Sequence, residues 1–168
     1  GGLLDLKRQP IEPDEATTAV FYSISNTQRG LAGVSFGNFL IKQVVEELKA
    51  ELPNIDTFVT LSPVPGFAAW LAAQRKDEGP DLDAEQRAAL ALLDEPGWHL
   101  QPEKAEALRA PLTVAAAIYF LRARDAKGRV PDPVARFHLG NGAQLNRLNY
   151  LGDVSANGLK QSHGLMVN

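Results

Sequence analysis

Three groups of residues in this chain have types and spacings that suit chemistry on a phosphate-bearing ligand. Gly30, Gly33 and Gly37 precede a helical pattern, where backbone N–H groups and the absence of side chains let a diphosphate come close. Ser62 ends a predicted strand, and strand ends are where open α/β sheets bind ligands. His138 carries the side chain best suited to exchange a proton near neutral pH.

Each group also has a purely structural interpretation that spacing alone leaves open. The glycines can form an ordinary strand-to-helix turn, since the segment has neither the Gly-Lys-Ser/Thr of a P-loop nor the Rossmann glycine spacing. Pro63 restricts Ser62 to an extended backbone, and Ser62 can then simply begin the next helix. A lone histidine in a turn, such as His138, can be structural.

A strand, the glycine loop, a helix and a second strand must position the first two groups. β-branched and aromatic residues over 20–24 favour a buried strand, and residues 57–61 predict another. Between them, apolar residues recur at steps of three and four, which predicts a helix that stops at Pro53. The predicted apolar face consists of Leu40, Ile41, Val44, Val45, Leu48 and Leu52.

The middle of the chain is predicted to be helical. One helix is expected over residues 67–75 and another after a capping box formed by Asp83 and Gln86. A third pattern covers residues 102–124 with an interruption at Pro111.

Asp132, followed by proline, predicts a short capped helix that leads to His138 in a glycine-bearing turn. A further helix capped by Asn141 is expected over residues 145–151, and a strand over residues 165–167.

Composition excludes several classes of protein. The 168 residues, 45% hydrophobic and 22% charged, are typical of a single soluble globular domain. A net charge of -3 gives no reason to expect nucleic acid or an anionic membrane surface as partner. The lack of cysteine excludes a thiolate nucleophile, and three scattered histidines suggest no metal site. No signal or spanning segment is evident, so the cytoplasm is the expected location, with mitochondria or peroxisomes as alternatives in a eukaryote.

The glycine loop resembles the pyrophosphate loop of the GNAT acyl-CoA superfamily, where a small-residue turn between strand and helix cradles coenzyme A. Gly30 and Ala32 fit the last two positions of that pattern, whereas Thr27 stands where it has Gln or Arg. The resemblance implies an α/β (α+β) fold with a mixed central sheet flanked by helices.

Four blocks, in one order, carry a more specific resemblance: FYSISNTQRGLAGVSFGNFLIKQVVEELKAELP, LSPVPGF, PVARFHLGNGAQLNRLNYLGDVSANGLKQS and GLMVN. Together they resemble the malonyl-CoA decarboxylase family. The resemblance implies that residues 17–168 are part of a GNAT-like catalytic domain, incomplete at its N-terminus, with a helical insertion at about residues 76–129. Residues 1–16 are then a linker or the remnant of a preceding segment.

The same resemblance implies functional roles. Ser62 and His138 match the catalytic serine and histidine of the family. The implied coenzyme A loop consists of Gly30, Ala32, Gly33, Val34, Ser35, Phe36, Gly37 and Asn38. The implied reaction converts malonyl-CoA to acetyl-CoA and CO2 with no metal and no cofactor beyond the coenzyme A of the substrate. The full-length protein is expected to be a homo-oligomer.

Two alternatives from other function classes stay open. An acyl-CoA N-acyltransferase on the same fold would deprotonate an amine acceptor and transfer an acetyl group to it. A non-catalytic coenzyme A-binding fragment would bind the ligand poorly or serve only assembly.

Overall fold

The computed structural model describes residues 10–22, 36–76 and 79–168. These residues form six α-helices and four β-strands, with both a parallel and an antiparallel strand pair, so the predicted mixed α/β class is confirmed. The chain divides into two compact units, Gly1–Ser62 and Pro63–Asn168.

The first unit contains the predicted strand, helix and second strand in that order. Strand β1 covers Thr18–Tyr22, helix α1 covers Phe36–Glu51, and strand β2 covers Thr57–Pro63. The two strands pair in parallel, with Thr18 opposite Thr57. Two neighbouring parallel strands must be joined by a long crossover connection, and α1 lies in the segment that joins β1 to β2.

Two expectations for the first unit were wrong in detail. Strand β1 is not buried throughout, because its side chains alternate between exposed positions and half-buried Ala19 and Phe21. Leu40 is 60% exposed and lies off the apolar face of α1, since that face follows a helical period that begins one residue later. The half-buried residues of this face are Ile41, Val44, Val45, Leu48 and Leu52.

The second unit contains the other helices and strands that the structure describes. They are α2 (Phe67–Arg75), α3 (Ala84–Ala89), α4 (Pro102–Leu121), α5 (Pro133–Gly140), β3 (Leu148–Asn149), α6 (Ala156–Ser162) and β4 (Met166–Val167). Strands β3 and β4 are antiparallel. The capping box before α3 is confirmed, because the Asp83 carboxylate accepts the Gln86 N–H while the Gln86 side chain accepts the Asp83 N–H.

The core of the second unit forms around α4. Leu108 and Leu112 are fully buried along one face of this helix, and Tyr119 follows at its C-terminal end. The Tyr119 ring packs edge-on against Phe67 of α2 with centroids 5.6 Å apart, and lies 5.1 Å from the Trp70 ring. No helix among the described residues has the length and apolar character needed to cross a bilayer.

Pro111 does not interrupt α4, contrary to the prediction. A proline inside a helix removes one hydrogen bond and costs about 3 kcal/mol. Here the affected carbonyl belongs to exposed Ala107, where water can reach it. Leu108 and Leu112 are buried on either side of the proline, so the packing of this face stabilises the helix and keeps it continuous past Pro111.

The helix expected over residues 145–151 is absent, and this prediction was wrong. The N–H groups of Asn146 and Arg147 donate to the Asn168 carbonyl at 2.8 and 3.2 Å, and the Asn168 N–H donates back to Arg147 at 2.9 Å. Pairing with the last residues therefore holds this segment extended. The next helix is α6, which Ser155 caps by accepting the Gly158 N–H at 3.1 Å.

Truncating the core of α4 should destabilise the second unit strongly. We expect Leu112→Ala to lower the free energy of unfolding by about 2–5 kcal/mol, because it leaves a cavity in a fully buried site. Leu121→Ala, on the same helix but at a position 68% exposed, should change it by less than about 0.5 kcal/mol. Chemical denaturation measures both, and equal losses would contradict this description of the core.

Candidate active site

The coenzyme A loop is only partly within the described residues. Residues 30 and 32–35 of the predicted loop lie outside them. Phe36, Gly37 and Asn38 form the first turn of α1. Since the first N–H groups of any α-helix have no partner within the helix, the predicted loop ends in backbone that is suited to bind an anion.

Ser62 is the second-to-last residue of β2. It is buried, with 4% of its surface exposed, and its hydroxyl donates to Thr60 Oγ1 at 3.3 Å. The next helix begins at Phe67 with Gly66 as its N-cap, so Ser62 does not start that helix. The alternative that Ser62 begins the next helix is therefore excluded, and the residue lies at the C-terminal end of a parallel strand.

His138 lies in the last turn of α5 and not in the turn that follows it. The predicted cap is confirmed, because Asp132 Oδ1 accepts the N–H groups of Val134 and Ala135, each at 2.9 Å. The helix extends to Gly140, farther than the prediction, because no proline or conformational break stops it before that glycine. The same 8-residue helix therefore begins directly after the buried cap residue Asp132 and carries His138 in its last turn.

The surroundings of His138 favour its neutral form. The side chain is half-buried, and this burial lowers its pKa below the ordinary value of 6.5. Its ring lies edge-on to Phe137 with centroids 5.1 Å apart. A neutral imidazole can accept a proton, and an anion bound beside it would raise its pKa again.

Asp132 makes contacts that its sequence pattern did not predict. Its Oδ2 accepts the Gly66 N–H at 3.2 Å, and its carboxylate also accepts a hydrogen bond from the Tyr119 hydroxyl. Burial and the neighbouring Asp132 carboxylate raise the pKa of Tyr119, so the phenol stays protonated. Nothing local reveals this site, because Gly66 and Asp132 are 66 positions apart.

His163, at the C-terminal end of α6, is also half-buried. It adopts the left-handed backbone conformation with φ of 50°, and its ring lies edge-on to Phe67 with centroids 6.5 Å apart. Burial is the main reason that its pKa falls below the ordinary 6.5. We assign it a packing role against α2.

The predicted catalytic residues belong to different units of the chain. Ser62 is the last residue of the first unit, and His138 belongs to the second. Among the described residues, no three His, Asp or Glu side chains are grouped as metal ligands would be.

Comparisons with known proteins identify the family. The sequence profile of a family described as malonyl-CoA decarboxylase C-terminal domain matches residues 1–168. A curated mitochondrial malonyl-CoA decarboxylase from Anser anser anser is 39% identical over 176 residues. That match covers 94% of this chain and 35% of the goose protein, so the chain spans about a third of the length of that relative.

Solved structures give the same result. A crystal structure of malonyl-CoA decarboxylase from Rhodopseudomonas palustris is 64% identical with a TM-score of 0.89, covering 98% of this chain and 38% of that one. The corresponding structure from Agrobacterium vitis is 55% identical with a TM-score of 0.92, covering 98% and 41%.

The His138 imidazole should titrate at a lower pH in the folded protein than after unfolding in urea. Since its folded pKa is depressed, the unfolded chain binds more protons in this window. The associated stability is present above the unfolded pKa and is lost as the pH falls through the folded one. NMR titration of the ring protons measures both values, with His138→Gln to assign the signal. A folded pKa at or above the unfolded one would contradict the burial of this ring.

Proposed function

The chain belongs to the malonyl-CoA decarboxylase family, of which it carries the C-terminal domain, and we propose that it contributes the catalytic groups that convert malonyl-CoA to acetyl-CoA and CO2. The observation that carries this proposal is the match of the family over all 168 residues. Within that match, the motifs SPVPGF and FHLGNGA, which contain Ser62 and His138, are both intact.

The reaction itself sets the requirements for the site. As the bond between the carboxylate and the α-carbon breaks, CO2 leaves and the electron pair moves into the thioester carbonyl to form an enolate. The breaking bond must stand perpendicular to the carbonyl plane, and donors must stabilise the developing charge on oxygen. A proton must then reach the α-carbon to give acetyl-CoA.

In this proposal Ser62 donates a hydrogen bond to the reacting malonyl group, and His138 delivers the proton. The burial of Ser62 supports its role, because a hydroxyl shielded from water stabilises charge more strongly. The half-buried imidazole of His138 is neutral in the free protein near neutral pH. The carboxylate of malonyl-CoA would raise its pKa and favour the imidazolium that donates the proton.

Residues 30 and 32–38 are proposed to hold the diphosphate of coenzyme A. The support is the position of Phe36 at the start of α1, directly after the predicted glycine loop. No metal is required by this chemistry. The boundary at residue 16, the helical insertion at about residues 76–129, homo-oligomerisation and a cytoplasmic location stay predictions.

The first test is turnover of malonyl-CoA by the protein at its full natural length. Acetyl-CoA and CO2 should form in equal amounts, and Ser62→Ala and His138→Asn should each lower kcat by about 100-fold or more, since each removes a group that acts in the transition state. His99→Asn is the matched control, because this histidine lies outside both motifs, and it should retain kcat within about 3-fold.

Other outcomes would identify the alternatives. Transfer of acetyl from acetyl-CoA to an amine, without CO2 from malonyl-CoA, would indicate an N-acyltransferase. Full turnover by His138→Asn would show that another group supplies the proton. No turnover of either substrate would indicate a non-catalytic protein.

The pH dependence of kcat/KM and of kcat should report different pKa values of His138, one for the free protein and one for its complex with malonyl-CoA. Because burial depresses the pKa of free His138, kcat/KM should fall as the pH rises through a value below 6.5. The corresponding limb of kcat should lie at higher pH, because the bound carboxylate raises the pKa of the same imidazole. Steady-state kinetics across pH measure both. Coincident limbs, or limbs that persist in the residual activity of His138→Asn, would contradict this role.

A further inference from the structure

We propose that Asp132 is a positioning residue for His138: its carboxylate fastens the turn at residues 63–66 to the start of the helix that carries His138. The kinetic part of this inference rests on the proposed function. The structural part concerns only the second unit and stands on the contacts of the carboxylate.

The Asp132 side chain is almost completely buried, with 1% of its surface exposed, and both of its oxygens are used. Oδ1 accepts two N–H groups at the start of α5, both at 2.9 Å. Oδ2 accepts the Gly66 N–H at 3.2 Å, and the carboxylate also accepts a hydrogen bond from the Tyr119 hydroxyl. A buried carboxylate is tolerated only when donors surround it, so the three segments that supply these donors are held in one arrangement.

This arrangement exceeds what a helix cap needs. Capping α5 requires only one acceptor oxygen, here Oδ1, and the side chain of asparagine or serine would also provide one. Oδ2 makes the separate connection to Gly66. A Cβ at Gly66 would lie 2.5 Å from Tyr119 Oη and 3.5 Å from Asp132 Oδ2, so only glycine leaves room for this approach. Gly66 is needed here for space, since its φ of -89° suits any residue.

The connection is short on both sides. Between Ser62 and Gly66 lie two prolines with fixed φ and Val64, which is 1% exposed and whose carbonyl accepts the Phe67 N–H at 3.1 Å. On the other side, less than two helical turns separate Asp132 from His138. Within the second unit, the first turns of α5 thus transmit the position of the carboxylate to His138.

Asp132→Asn tests this connection while keeping the cap. The amide oxygen can still accept the N–H groups of Val134 and Ala135, but the amide nitrogen then faces the Gly66 N–H and cannot accept from it. We expect kcat at saturating malonyl-CoA to fall by about 10- to 100-fold, because small misplacements of reacting groups are costly. KM should change by less than about 3-fold, and the Gly66 amide should exchange with solvent faster.

Two variants separate positioning from general stability. Tyr119→Phe removes one donor but leaves the Gly66 connection, so kcat should stay within about 3-fold of the parent. Ser162→Ala removes another buried hydrogen bond of the second unit, from its hydroxyl to the Leu165 carbonyl at 2.7 Å, and should lower the melting temperature without lowering kcat.

Unchanged kcat together with unchanged protection of the Gly66 amide in Asp132→Asn would overturn the inference. The inference would also be overturned if Ser162→Ala lowered kcat as much as Asp132→Asn does while the two variants had the same melting temperature. If the parent protein released no CO2, the proposed function would fail. Hydrogen exchange at Gly66 would still decide the inference, with faster exchange in Asp132→Asn supporting it and equal exchange overturning it.

Discussion

The second unit depends on the solvation of one buried charge. The Asp132 carboxylate has lost its water and must find donors within the protein. It finds them in the backbone of α5, in the backbone of Gly66 before α2, and in the Tyr119 hydroxyl on α4. Because the full cost of desolvation returns when donors are lost, these three helices cannot shift independently.

Apolar packing reinforces the same arrangement. The Phe67 ring, directly after Gly66, packs against Tyr119, whose hydroxyl serves the carboxylate. The motif SPVPGF therefore has two separable parts. Its serine is suited to chemistry, whereas its glycine and phenylalanine fasten the turn to the core. At Gly66 the lack of a side chain leaves space for the Tyr119 hydroxyl, and at Phe67 the ring fills the core beside it.

Local sequence signals predicted the features that local chemistry decides. The Asp83 capping box, the Asp132 cap and the apolar face of α1 all follow from neighbouring residues, and the structure confirms them with the exception of Leu40. Long-range contacts were not predictable in this way. Pairing with Asn168 overrides the helical pattern over residues 145–151, and core packing carries α4 through a proline.

The candidate site shows the same division. Motif resemblance indicated Ser62 and His138, and the structure gives their local surroundings. The contact between Gly66 and the Asp132 carboxylate depends on the tertiary fold, and no sequence spacing encodes it.

Crystal structures of the parent and of Asp132→Asn test this contact most directly. We expect Gly66 N to lie about 3.2 Å from Asp132 Oδ2 in the parent and to move away in the variant, with α5 still capped. If the turn at residues 63–66 kept the same position relative to residue 132 in the variant, the proposed role of Asp132 would be contradicted.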